Sequence, residues 1–120
     1  MKSVFAIIII LIAQIANAEL DDKTKLALNN AHNVVTKDFK DPASAIFRNE
    51  YLVENVGENG AIGVCGQVNG KNSYGGYVGF KSYVVFGNTG LINKSKIDAD
   101  LIMLMCDKTN KNYKIIEINE

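Results

Sequence analysis

Ala61-Ile62-Gly63-Val64-Cys65-Gly66-Gln67-Val68-Asn69-Gly70, continued by Lys71-Asn72-Ser73-Tyr74-Gly75-Gly76 and then Tyr77-Val78-Gly79-Phe80-Lys81-Ser82-Tyr83-Val84-Val85-Phe86, is the stretch that decides the fold. It consists of two alternating segments joined by a glycine-rich connection. In the first, Ile62, Val64 and Val68 fall on one face, and Gly63, Cys65 and Gln67 on the other. In the second, Val78, Phe80, Val84 and Phe86 share a face, with Tyr77, Lys81, Tyr83 and Val85 on the reverse. A period of two residues is the signature of a strand. Turn chemistry at Gly57-Glu58-Asn59-Gly60, Asn69-Gly70, Gly75-Gly76 and Gly87-Asn88-Thr89-Gly90 separates the segments. Connections this short cannot carry a parallel crossover, so the middle of the chain reads as an antiparallel meander.

All ten glycines lie between Gly57 and Gly90, which leaves a glycine-free front and tail. In the front, Leu20, Leu28, Ala31, Val35 and Phe39 recur at helical spacing with Val34 beside them. Lys25, Asn29, Asn33 and Lys37 take the opposite side, giving one amphipathic helix. Asp21 and Asp22 suit its start as cap and as negative charge, and Asp41-Pro42 is its expected stop. Asp41 as N-cap, Pro42 at the first position and Ser44 at the third would build a capped turn, after which Ile46 and Phe47 pin it to the core. Tyr51-Leu52-Val53 then reads as a short strand. In the tail, Ser95 followed by Asp98 resembles a helix start, and Ile97, Leu101, Leu104 and Met105 would share its apolar face. The run Leu101–Cys106 also suits a buried strand; helix is the preferred reading. Tyr113–Ile118 reads as a last strand after a polar turn.

Residues 1–18 carry an address: a positive start, an apolar run from Val4 to Ala13, and Ala16-Asn17-Ala18 as the small-x-small site. This is the layout of a secretory signal peptide, with cleavage expected before Glu19, and the apolar run is too short to span a bilayer of about 20 residues. The expected product is a single domain, 19–120, periplasmic or extracellular, with no integral membrane span after cleavage. Without Lys2 it carries 12 basic against 13 acidic side chains, a balance that offers no footprint for nucleic acid.

The two cysteines, Cys65 and Cys106, most simply form one disulfide in an exported domain. A free thiol and a metal site are the rivals. Both need further groups, and the single histidine, His32, is all the chain offers beside them. No metal or other cofactor is expected. His32 has no carboxylate or nucleophile fixed nearby in sequence and reads as a boundary or exposed residue. Gly66–Lys71 fails as a phosphate loop, since only three residues separate its glycines and Asn72 follows Lys71 where Ser or Thr is required. Asp21-Asp22 and Asp98-Ala99-Asp100 are explained by capping, and Asn93-Lys94-Ser95 is formally a glycosylation sequon. The segment with the best claim to function is the connection 69–77, where Lys71, Asn72, Ser73, Tyr74 and Tyr77 stand among glycines, side chains that binding loops favour.

Two stretches together, Asp41-Pro42-Ala43-Ser44-Ala45-Ile46-Phe47-Arg48-Asn49 and Val64 through Phe80, resemble a family of small exported proteins of proteobacteria and their phages that shows "DPxSAxFR", then "VCGxVNxKNSxGGYxGF", then a late cysteine. The resemblance spans about 40 positions, from Asp41 to Phe80, and implies a bacterial cell-envelope protein with a Cys65–Cys106 bridge. It carries no activity to transfer. This chain departs from it by running on past Cys106 through Tyr113–Glu120.

The expectation is an α+β domain in which an N-terminal helix packs on an antiparallel meander of about four or five strands, stapled by one disulfide. No catalytic set is recognisable, so the expected activity is binding or inhibition of a protein partner in the envelope, such as a hydrolase, a phage or toxin component, or a receptor. A structural accessory of an envelope assembly is the alternative, and a small periplasmic enzyme is the third.

Overall fold

The computed structural model describes residues 22–57 and 60–118. Residues 1–18, read above as a signal peptide, Leu20 and Asp21, read as part of a helix, and Glu58-Asn59, read as part of a turn, lie outside the described residues. Helix α1 (22–36) is followed by a 3-10 turn at Pro42–Ser44 and by strands β1 (Ile46–Asn55), β2 (Ala61–Asn69), β3 (Lys81–Phe86) and β4 (Thr89–Ile92). Helix α2 (Lys96–Met105) and strand β5 (Tyr113–Glu117) complete the chain. The five strands form one antiparallel sheet in the order β4-β3-β2-β1-β5. The fold is α+β, as the alternation at 61–86 implies, and the late strand inserts beside β1 rather than beside β4.

Helices cover both faces of the sheet. On one, Ala31 and Val35 of α1 pack on Leu52, Val64, Val68, Tyr83 and Val85. On the other, Ile102 of α2 packs with Val53, Cys65, Val84 and Cys106. Each strand therefore feeds two cores, and its alternation separates two apolar environments instead of core from water. Cys65 and Cys106 are joined, with Cα atoms 6.0 Å apart. The bridge consumes both sulfurs, so neither is left for metal binding or nucleophilic chemistry. No helix among the described residues is long and apolar enough to cross a membrane.

Strand β1 is longer than Tyr51-Leu52-Val53 suggests and contains an irregularity that sequence patterning hides. Arg48 pairs with Gln67 and Tyr51 with Cys65, so Asn49 and Glu50 together oppose Gly66. Asn49 takes up the extra residue in the left-handed region, at φ 55°. This β-bulge shifts the parity of the strand. Phe47 and Leu52, five residues apart, both reach the α1 core because of it, and Glu50 is carried to the same side.

Three expectations are corrected. Helix α1 ends at residue 36, short of Asp41-Pro42. The Thr36 hydroxyl donates to the His32 carbonyl (2.7 Å), and the chain turns so that Phe39 reaches the sheet edge, its amide donating to the Thr36 carbonyl (2.9 Å). The 3-10 turn is held by the Ser44 hydroxyl donating to the Asp41 carbonyl (2.9 Å), and the Asp41 side chain caps nothing. Helix α2 is a helix capped by Ser95, whose oxygen accepts from the Asp98 amide (3.2 Å), but its rotation differs from the expected one. Of the expected face only Met105 packs on the core, beside Ile102 at 6% exposed, whereas Ile97, Leu101 and Leu104 are 72%, 43% and 69% exposed. Disulfide attachment at Cys106 holds Ile102 and Met105 against the sheet and leaves Ile97, Leu101 and Leu104 facing outward.

Candidate functional site

The connection 69–77 is a second, smaller hairpin standing on the end of β2. Strand β3 begins only at Lys81, because Gly79 sits at φ 105°, a conformation side-chain-bearing residues rarely adopt, and breaks the alternation read from Tyr77 onward. Its amide donates to Asn69 Oδ1 (3.0 Å), tying the hairpin back to its root. Lys71 and Tyr77 face each other across the hairpin.

The five residues singled out there divide by role. Asn72 is the internal brace: its Oδ1 accepts from the amides of Tyr74 (2.9 Å) and Gly76 (3.1 Å), an Asx-turn arrangement. Tyr77 reaches down, and its hydroxyl donates to the Ser44 carbonyl (2.8 Å). The Lys71 ammonium lies 5.3 Å from the centre of the Tyr77 ring. Ser73 and Tyr74 form the tip, and Tyr74 is 96% exposed. Two of the five thus secure the loop and one projects an aromatic ring into solvent. The hairpin roots in the strand that carries Cys65 and touches the turn at Ser44, so its tip is held from two sides.

A second constellation was not legible as a site. Glu50 is buried between α1 and the sheet, its side chain 4% exposed, and Oε2 contacts His32 Nε2 at 2.6 Å. The Tyr83 hydroxyl donates to the same oxygen. Tyr83 is 0% exposed, and burial first, then its hydrogen bond to Glu50, holds its phenol far above the ordinary tyrosine range. His32 is half-buried and stacks on Phe47, with ring centroids 3.6 Å apart. Gly66 makes the space: a Cβ there would stand 2.8 Å from Glu50 Cγ and 3.1 Å from Tyr83 Cε1. His32 is therefore not a solitary boundary residue. Its carboxyl partner lies 18 positions away and arrives through the β1 bulge, which nothing local in the sequence announces.

Chemically the trio is a satisfied polar strut between helix and sheet. The carboxyl group meets two donors or shared protons, and Thr36 closes on the His32 carbonyl rather than on its ring. Among the described residues no Ser, Thr or Cys side chain hydrogen-bonds the imidazole. Compared with known proteins, the chain matches no family profile, no curated protein and no solved structure.

Proposed function

We propose that this chain is an exported, non-catalytic binding or inhibitory module of the bacterial cell envelope, which engages a protein partner through the 69–77 hairpin. The observation that carries the reading is Tyr74, almost fully exposed at the tip of a hairpin that Asn72 and Tyr77 hold in shape. A large ring held out in water contributes nothing to folding, while a rigid aromatic on a braced loop is a low-entropy anchor for an interface. The disulfide suits an oxidising compartment, in keeping with the address read at residues 1–18.

The test is comparative capture from periplasmic extract followed by titration of the purified partner. Tyr74→Ala with Lys71→Ala is expected to weaken binding by about 2 kcal/mol or more, the hot-spot range, with stability changed by under about 1 kcal/mol. Unchanged affinity in a folded variant would remove the hairpin from the interface. A structural accessory role is the second reading, favoured by the outward stripe of α2, where Ile97, Leu101 and Leu104 line up in water. In that case Leu101→Glu with Leu104→Glu, not the hairpin variant, would abolish co-purification with the assembly.

A further inference from the structure

Between the inner side of the hairpin and the end of α1 lies a cleft of about 300 Å³. Its volume is at the small end of ligand-binding cavities, roughly 300–1,000 Å³. Phe39, Val68, Val78 and Ile92 contribute apolar surface from four separate segments. The Phe39 ring lies directly on Gly70, where an added Cβ would approach its Cε2 to 2.8 Å, so glycine at this position is what lets the ring form the wall. Around this apolar surface stand four lysines, Lys40, Lys71, Lys81 and Lys94, against a single carboxylate, Asp38. The lining thus carries a net charge of +3 in a chain whose formal net charge is 0. Among the described residues none of the four ammonium groups is within ion-pair distance of a carboxylate, the only such contacts being Lys108–Glu117 and His32–Glu50.

We infer that this cleft binds a small amphipathic anion, a carboxylate or similar headgroup on an apolar body of about ten carbons. Each half of the lining requires one half of that ligand. Apolar walls alone would accept a neutral hydrocarbon, but converging like charges repel one another and favour an occupant that neutralises them. Lysines alone would accept any anion, yet inorganic anions leave the Phe39, Val78 and Ile92 surface wet. A volume of about 300 Å³ fits a short chain or ring rather than an extended polymer. The cleft shares Lys71, Asn72 and Ser73 with the hairpin of the proposed protein interface, whereas Tyr74 lies outside its lining and Lys81 and Lys94 lie outside the hairpin.

Amide chemical-shift titration with decanoate below its micelle concentration, on the full oxidised domain, tests the inference. Saturable shifts are expected at Gly70, Val78, Gly79, Ile92 and Lys94, with a dissociation constant on the order of 0.1–1 mM, which lies within the ligand-efficiency ceiling for a twelve-atom ligand. Raising sodium chloride from about 50 to 300 mM is expected to weaken binding several-fold by screening. Lys81→Gln with Lys94→Gln is expected to weaken it about tenfold with the melting temperature retained. Neither lysine belongs to the hairpin tip, so this arm fails or succeeds independently of partner capture. Decanol and hexaglutamate serve as neutral and purely anionic controls and are expected to bind far more weakly. Equal binding of decanol, equal binding of hexaglutamate, shifts centred on Leu101 and Leu104 of α2, or no saturable shift with decanoate would each overturn the inference.

Discussion

Replacing Glu50 by alanine is expected to destabilise the domain by about 3 kcal/mol, and the figure follows from what the carboxyl group touches. Two contacts vanish, to Tyr83 and His32, and hydrogen bonds to a charged group contribute about 1.5–3 kcal/mol each. Against this, removing a buried carboxylate relieves a desolvation cost of several kcal/mol. Within the lost contacts lies the stranding of the Tyr83 hydroxyl, which is enclosed and left without an acceptor, about 1–3 kcal/mol of the total. With an unfolding entropy of roughly 2.1 cal/mol/K per residue over roughly 95 described residues, 3 kcal/mol corresponds to a melting-temperature drop of about 15 °C. Glu50→Gln, which retains shape and an acceptor for the phenol, is expected to cost about 1 kcal/mol. The decisive measurement is a double-mutant cycle by denaturant unfolding. Tyr83→Phe is expected to cost about 2 kcal/mol alone but almost nothing in the Glu50→Ala background, a coupling of about 1.5 kcal/mol or more. If Tyr83→Phe costs the same in both backgrounds, the strut is not a coupled unit and the reasoning is refuted.

Reduction of Cys65–Cys106 releases a loop of 41 residues, which the chain-entropy relation values at about 4 kcal/mol, so calorimetry with and without reductant is expected to show a fall of about 20 °C. Ile102→Lys is expected to destabilise by about 3 kcal/mol or more while Leu104→Lys stays within about 0.5 kcal/mol, and the reverse order in chemical denaturation would mean that α2 is rotated as its sequence first suggests. Stability is expected to hold below pH 10 and to fall above it, because Tyr83 ionises near its ordinary value when unfolded but resists ionisation in the fold, where burial raises its pKa. Tyr51, also raised chiefly by burial, adds to that slope, and Tyr83→Phe is expected to flatten it in unfolding midpoints measured from about pH 8 to 11.5.

Much of the architecture was legible because it rests on local rules. Alternation at 61–68 and 83–86 assigned side chains to the faces they occupy, since pleating is a property of any extended backbone. The Ser95 cap and the Tyr113 strand were visible for the same reason. Of the hairpin residues, composition singled out the segment but not their division of labour: Asn72 and Tyr77 are committed to holding the loop, and that depends on where the Tyr74 and Gly76 amides and the Ser44 carbonyl come to lie. The rotation of α2 was misread because two apolar stripes compete on a ten-residue helix, and periodicity carries no information about which one a disulfide at Cys106 will draw inward.

By itself the sequence determined the α+β class, the antiparallel order of its central strands and the pairing chemistry of its two cysteines, because spacing, turn residues and cysteine number act within a few positions or by simple count. Tertiary structure alone decided the Glu50–His32–Tyr83 strut and the lysine-rimmed cleft. The first depends on one extra residue at Asn49-Glu50 that reverses which side of β1 faces the helix. The second depends on Lys40, Lys71, Lys81 and Lys94 converging from segments dispersed over more than fifty positions. Charges that far apart in the chain meet only when strand register and helix placement are set, and those are properties of the packed whole.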